Sequence, residues 1–518
     1  MKNLVIVESP AKAKTIEKYL GSDFTVLSSV GHIRGITKKT KDGTPSVDVK
    51  NGFKTTYEID DDKKKIVAGL KKAVKTTETV WLATDEDREG EAIAWHLCEV
   101  LGLDTKTTKR IVFHEITKTA IEEAVKNPKT VDMHLVQAQQ ARQILDRIVG
   151  FELSPVVWRK VPGGKSAGRV QSPAVRLLVE REKEITGFEG SAEFKITAEF
   201  LHNDDTIKAE LPNKFKGENE ANQFLQSLVG QNFKVGDVTK NPGTRNPSAP
   251  FTTSTLQQEA NSRLGFSSKA TMSAAQKLYQ EGKITYMRTD SMNLSGQAIS
   301  AAVSYIEKTF GKDYVQVRKF KTKSASAQEA HEAIRPTNMG LETASNNEYD
   351  QKIYSLIRNR TLASQMSPAK LEKTTVSIAA ADKTFESKGE VVLFDGFLRV
   401  YGTKKDDAIL PSLSKDDPLR LKLASAKQVF ARPPARYSEG SLVKKLEELG
   451  IGRPSTYATI IDTVQARGYA EKGESEGEER DIITLTLQSD NVERLIIQEK
   501  SGSNKGKLVP TAAGELIS

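Results

Sequence analysis

Two short stretches constrain this chain more than any others. "LVIVESP" (residues 4–10) and "TVWLATDEDREGEA" (residues 79–92) each pass from a continuous apolar segment straight into a helix start. An apolar run with no polar alternation is buried on both faces, as in a parallel sheet covered by helices. In the first stretch Ser9 suits an N-cap and Pro10 the first helical position, with Ile16, Tyr19 and Leu20 on one side and Gly21 just past the end. The helix after the second carries Ile93, Leu97, Val100 and Leu101, and "RIVFHEIT" (110–117) has the pattern of a third strand. Strands separated by helices predict an α/β domain over residues 1–130.

The rest of the chain divides by changes of period. Residues 131 to about 184 are helical, interrupted by "VPGGKSAG", and strand-like alternation runs from about 193 to 238. "TKNPGTRNPSAP" (239–250) has the Pro, Gly and Asn content of a linker. Residues 251–375 are mainly helical, strands return near "EVVLFDGFLRVYG", and helices resume at about Ser438. A weak repeat relates residues 256–286 to 442–472. Each has a helix ending at Leu-Gly, a polar turn, a second helix, a Gly and a strand-like segment, an order that suits winged-helix units. Four regions are expected: 1–130; 131–190 with 430–518; a β-rich 191–250 with 376–429; and 251–375.

The chain is basic, with net charge +9 and a pI of about 9.1, which favours a polyanionic partner such as nucleic acid. Five of the seven residues from Asp85 to Glu91 are nevertheless acids. Asp85, Asp87 and Glu89 follow one strand and Glu8 ends another, so all four are expected at the carboxyl edge of the sheet, where ligands bind in open α/β folds. Like charges so placed repel unless a cation lies among them, and oxygen-only ligands favour a hard ion such as Mg²⁺. Cys98 is the only cysteine, which excludes an intramolecular disulfide and a four-cysteine zinc site. No segment approaches the roughly 18 apolar residues of a membrane span, and the first apolar run is too short for a signal peptide; cytoplasmic localisation is the expectation.

"VESPAKAKTI" with "ATDEDREGEAIAWHL" resembles the Toprim domain of bacterial type IA DNA topoisomerases, of the topoisomerase I subgroup. Toprim domains also serve primases, type II topoisomerases and nucleases, so the acids alone do not select a reaction. "EGKITYMRTDSMNLS" (281–295) resembles the nucleophile motif of the type IA family, which implies Tyr286 as the nucleophile. A phenol with a pKa near 10 attacks poorly at neutral pH. On an extended segment Arg288 shares the face of Tyr286, where a guanidinium stabilises phenolate and clamps phosphate. "SAQEAHEAIRPT" matches too and implies His331 near the scissile phosphate. By the same resemblance Lys12 protonates the leaving 3′-oxygen, assisted by Glu8.

The resemblance extends to a single-strand groove. It implies DNA contacts from His32, Arg142, Gln143, Asp146, Phe151 and Trp158, from the run Ser166, Ala167, Gly168, Arg169, Val170 and Gln171, and from Arg288, Arg453 and Thr456. Arg and Gln contact phosphates and base edges, and Phe and Trp offer stacking faces. "GKS" at 164–166 lacks the upstream glycine and leading strand of a P-loop, so no ATP site is expected. Gly35 and Lys165 depart from the family pattern beside its motifs. The end, "LVPTAAGELIS", resembles a point where family members continue through the groove domain, many adding zinc modules. The resemblance implies a multidomain α/β and α+β torus, a nucleoid-associated monomer that relaxes negatively supercoiled DNA without ATP through a 5′-phosphotyrosyl intermediate. A topoisomerase III-like decatenase, a Toprim nuclease or primase, and an inactive strand-binding fragment are the alternatives.

Overall fold

The computed structural model describes residues 2–38, 40, 43–320, 331–402 and 409–518. Four parallel strands form the N-terminal sheet, in the order Phe24–Ser28, Asn3–Val7, Thr79–Leu82, Lys109–Arg110. Leu4 to Val7 are fully buried and alternate between faces. Leu4 and Ile6 pack with Leu70, Leu82 and Leu97, while Val5 and Val7 pack with Ile16, Trp81 and Ile116. That second cluster continues without a break into Tyr279, Ile284 and Tyr286, so the sheet and the tyrosine-bearing region share one core.

Local signals place the first helix correctly at its start and not at its end. It spans Pro10–Glu17, and Ser9 accepts a hydrogen bond from the Lys12 amide at 3.1 Å. It is capped at Lys18, three residues before Gly21, because the chain turns there to enter the strand that begins at Phe24. The third expected strand is only two residues long. After the Ile111 amide bonds the Leu82 carbonyl the chain leaves the sheet, and the His114 carbonyl accepts from the Tyr286 amide at 2.7 Å instead.

Residues 239–245 are not a linker. They complete a 13-residue strand, Phe233–Arg245, paired antiparallel with Ala369–Ala380. Pro242 is tolerated because, among the described residues, its strand has a second neighbour only at Phe233 and Lys234, so the missing N–H breaks no ladder there. Six strands close through Phe233 and Leu419 into a barrel around Phe200, Phe233 and Phe385. The hairpin Glu478–Gln488 and Asn491–Ser501, within the span expected for the groove region, extends this sheet from Pro418–Phe430. "EVVLFDGFLRVYG" is strand only to Phe394 and then forms the short helix Leu398–Tyr401.

The two repeats fold alike and pack on each other. Thr253–Leu264 and Glu439–Glu448 each begin with a reciprocal capping box and lead to glycines (Gly265, Gly450) at φ +69°. The Ser268 amide donates to Glu439 at 2.7 Å and the Gly440 amide to Asn261 at 3.1 Å. A second helix follows in each, Ser268–Gln280 and Tyr457–Ala466. The later unit carries a two-stranded wing, Ala470–Lys472 with Leu508–Pro510. Arg88–Leu101 packs on Met133–Lys160, the barrel joins the groove region to the tyrosine region, and the tyrosine region returns to the first sheet, an order consistent with a closed torus. No described helix is long and apolar enough to cross a membrane.

Candidate active site

The acidic loop between Leu82 and Arg88 is held from below by buried polar groups. Asp87 caps the helix Arg88–Leu101 and accepts from the Gly90 amide at 2.8 Å. Gly90 is required because a Cβ would lie 2.0 Å from the Asp85 carbonyl oxygen. Arg110, 1 % exposed, reaches up from the sheet. Its guanidinium donates to the carbonyls of Thr84 (2.7 Å), Asp85 (2.8 Å) and Ile111 (2.8 Å) and pairs with buried Glu91 at 3.0 Å.

Glu8, Asp85, Asp87 and Glu89 all reach the expected edge, where Glu8 and Asp85 share one ammonium while Asp87 and Glu89 face separate cations. Among the described residues no three or more acids, histidines or cysteines are arranged to hold a metal ion. The physical reason is that each carboxylate is met by a cation of the chain itself. Fully buried Lys12 bridges Glu8 (2.9 Å) and Asp85 (2.8 Å). Arg288 pairs with Asp87 at 3.2 Å. Glu89 faces Arg142 (3.2 Å) and His32 (3.4 Å) and accepts from Gln139 (3.1 Å). Burial, then Asp85, pushes Glu8 up to about 8, against the pull of Lys12. Burial works against the Asp85 carboxylate, but Lys12, Glu8 and Arg288 together hold Asp85 low. Glu8 Oε2 is buried without a hydrogen-bond partner, the kind of atom a cation satisfies, and the donors are all oxygen. In kind, these residues fit a hard divalent ion.

Tyr286 comes to the same edge from 199 residues away and is only 4 % exposed. Its hydroxyl donates to Asp87 Oδ2 at 2.6 Å, and Arg288 shares that oxygen. Burial, then Asp87 and Asp85, raises the phenol well above its ordinary value, with Arg288 pulling the other way. Its ring meets Tyr279 edge-on at 5.1 Å, and the Lys12 ammonium lies 5.9 Å from the Tyr279 ring. In this closed arrangement the tyrosine is a neutral phenol whose proton already faces a carboxylate.

His331 also reaches the edge, through a partner that motif reading passed over. Its Nε2 lies 3.1 Å from Glu86 Oε1, and His114 pairs with the other oxygen of Glu86. Burial would raise Glu86, but the two histidines hold it at about 2. Glu86 was visible within the acidic run and His114 within "RIVFHEIT". What was missing was that the strand breaks off and turns His114 toward the tyrosine. Residues 326–330 of the motif around His331 lie outside the described residues.

A cleft of about 1080 Å³ opens beside this edge. It is lined by Asp87, Arg288 and His331 on one side, and by Arg142, Asp146, Phe151, Trp158 and residues 166–171 on the other, with Arg453 and Thr456 at its end. Phe151 (59 % exposed) and Trp158 (63 %) are not core residues; both present open faces on the helix Met133–Lys160. Asp146 pairs with Arg169 at 2.9 Å, which ties residues 166–171 to that helix. Gln171 lies close enough to Gly168 that a Cβ there would meet it at 2.8 Å. His32 and Gln143 do not line the cleft; His32 reaches it through Glu89. Arg453 donates to the carbonyls of Gly450 and Gly452, and Thr456 closes that turn. The "GKS" segment follows a helix, not a strand. Tyr469, absent from the expected set, holds it: its hydroxyl accepts from the Lys165 and Ser166 amides and donates to the Ser166 carbonyl, each at 2.8 Å.

An α/β acidic edge closed by a tyrosine from a separate helical region, beside an aromatic and basic cleft, is the arrangement of a Toprim-type protein. A Toprim family model matches residues 3–116, and such domains bind a divalent metal. The bacterial DNA topoisomerase model matches residues 130–480, and the chain belongs to the bacterial type IA DNA topoisomerase family. It is 44 % identical to DNA topoisomerase 1 of Vibrio cholerae over 99 % of this chain and 64 % of that protein. Against the Campylobacter jejuni DNA topoisomerase 1 the identity is 45 %, over 90 % of this chain and 69 % of that one. The structure matches full-length topoisomerase I from Thermotoga maritima with a TM-score of 0.78 and 40 % identity, over 90 % of this chain and 79 % of that one. The chain thus spans about three-fifths to two-thirds of the curated relatives it matches.

Proposed function

We propose that this chain cuts and rejoins one strand of DNA through Tyr286, passing a second strand and relaxing negative supercoils without ATP, as a topoisomerase I. The observation that carries the reading is the 2.6 Å bond between the Tyr286 hydroxyl and Asp87. It brings the only tyrosine of the family motif onto the acidic edge.

The residues have distinct tasks. Arg288, held beside Tyr286 by Asp87, is placed to take a phosphodiester bidentately as that phosphate displaces the carboxylate. The same guanidinium stabilises the phenolate that attacks phosphorus. The Tyr286 proton leaves through Asp87, its present acceptor. Lys12 stays protonated in its buried bridge between Glu8 and Asp85, where burial opposes its charge and the two carboxylates restore it; it supplies the proton to the departing 3′-oxygen. His331 contacts the phosphate from the cleft wall. Glu8, Asp85 and Asp87 would hold the divalent ion, Mg²⁺ by its preference for oxygen, which supplies positive charge beside the phosphate. Glu89 joins that edge to Arg142, and the strand lies along Phe151, Trp158 and residues 166–171, with the protein acting as a monomer at the nucleoid.

The test is trapping with detergent. A single-stranded oligonucleotide labelled at its 3′ end should remain on the wild-type protein, because the 5′-phosphate of the downstream fragment is the group bonded to tyrosine. Tyr286→Phe should bind the strand and trap none. Covalent capture surviving in that variant would overturn the proposal.

A further inference from the structure

Glu86 is a carboxylate placed between two imidazoles that come from different regions. Its side chain is 11 % exposed and that of His331 is 12 %. His331 Nε2 pairs with Oε1 at 3.1 Å, His114 Nδ1 pairs with Oε2, and the two rings meet edge-on with centroids 5.7 Å apart. Glu86 and His114 belong to the Toprim region, and His331 to the tyrosine region across the interface. His114 has a second attachment there, since its carbonyl accepts from the Tyr286 amide at 2.7 Å.

An imidazole on a cleft wall rotates about two side-chain bonds, and either nitrogen can carry the proton. A carboxylate on one nitrogen fixes both the ring plane and the tautomer. Glu86 is itself kept from turning toward its neighbours Asp85 and Asp87 by His114, which takes its other oxygen. The bridge to His331 can form only while the two regions are in contact, which is also when Tyr286 sits at the acidic edge.

We propose that Glu86 is a positioning residue for strand cleavage: buttressed by His114, it holds His331 in the cleft with its Nε2 fixed, and it releases that histidine when the regions separate. This rests on the reading of the chain as a tyrosine-dependent strand-cleaving enzyme. It separates from a purely structural role because Glu86 would then act through His331 and through no other catalytic group.

The experiment is single-turnover cleavage of a 3′-labelled single-stranded oligonucleotide, with the rate measured across strand concentrations for wild type, Glu86→Ala, Glu86→Gln, His331→Ala and the double variant Glu86→Ala/His331→Ala. Glu86→Ala should slow cleavage at saturating strand by about ten- to a hundredfold, the scale of a misplaced catalytic group, with the half-saturating concentration unchanged. Glu86→Gln keeps an acceptor for Nε2 and should recover most of the rate. In the His331→Ala background the Glu86→Ala change should have no further effect, since its only route of action is gone. Equal losses in both backgrounds, or full cleavage by Glu86→Ala, would overturn the positioning role. If the wild type traps no strand, the cleavage reading falls and this role falls with it; wild-type trapping that Glu86→Ala leaves unaltered defeats only the present inference.

Discussion

Replacing Arg110 should loosen the acidic loop more than any exchange at its surface. Arg110 and Glu91 form a pair 1 % and 4 % exposed, and Glu91 also accepts from the Asp132 amide at 2.7 Å. Removing one partner of a buried ion pair costs about 3–5 kcal/mol, because the other is left charged in a poor solvent. Arg110→Met should therefore destabilise the Toprim region by at least that amount. The informative variant is the double Arg110→Met/Glu91→Leu. Exchanging a whole buried pair for apolar residues is often close to neutral. Here the guanidinium also satisfies the carbonyls of Thr84, Asp85 and Ile111, and each carbonyl left bare costs about 1–3 kcal/mol. The double variant should thus remain about 3 kcal/mol or more below wild type. A chain of several regions does not unfold in one step, so the measurement is local: amide hydrogen exchange in the segment 79–101, read by mass spectrometry. A loss of about 3 kcal/mol corresponds to exchange roughly a hundredfold faster. If the double variant exchanges like wild type, Arg110 does not hold the loop, and the reasoning from its carbonyl bonds is wrong.

Two further outcomes follow from buried groups. Tyr469→Phe removes three hydrogen bonds from residues 165–166 and should weaken single-strand binding by about 1–3 kcal/mol while cleavage at saturating strand stays intact; unchanged affinity in a titration would show that the loop keeps its shape without the hydroxyl. Burial, then Arg34 and His32, lowers His96 to about 3, so the folded state keeps it neutral where the unfolded chain, at about 6.5, takes up a proton. Its contribution is therefore complete above pH 6.5 and is lost as pH falls toward 3. His96→Gln, which keeps an acceptor for the Arg34 side chain bonded at 2.7 Å, should flatten the acid limb of thermal stability between those values; an unaltered limb would refute the linkage.

The parts legible in the sequence were those determined by neighbours along the chain. The strands at Leu4 and Thr79, the cap at Ser9 and the paired glycines of the repeat follow from local sterics and from hydrogen bonds within a few residues. Regions that read wrongly answer to distant partners. Residues 239–245 have the composition of a linker, yet the strand Ala369–Ala380 supplies a ladder that their own residues do not announce. "RIVFHEIT" has strand propensity throughout, but the His114 carbonyl is taken by the Tyr286 amide and Thr117 caps the next helix. The same limit applied to the site. Carboxylates at strand ends could be located, whereas several of their partners lie far along the chain: Arg142 is 53 residues from Glu89, Arg288 is 201 from Asp87 and His331 is 245 from Glu86. No periodicity points to Tyr469 under the "GKS" loop, because its partners lie about 300 residues off.

The counter-cations also bear on why so basic a chain concentrates acids in one place. Lys12 belongs to the same region as Glu8 and Asp85, and that pairing survives any movement between regions. Arg288 and His331 come from the tyrosine region, and Arg142 comes from the groove helix. The acids at Asp87 and Glu89 therefore occupy the very cations a nucleic-acid backbone would seek. On the proposed reaction, a phosphodiester entering the cleft exchanges with Asp87 for Arg288 and with Glu89 for Arg142, anion for anion, so the cost of desolvating those cations has already been met in the closed protein. Asp87, released from Arg288, is then free to join Glu8 and Asp85 around an oxygen-seeking divalent ion. On this argument strand entry and metal binding favour each other, and neither is expected to be strong at this edge without the other.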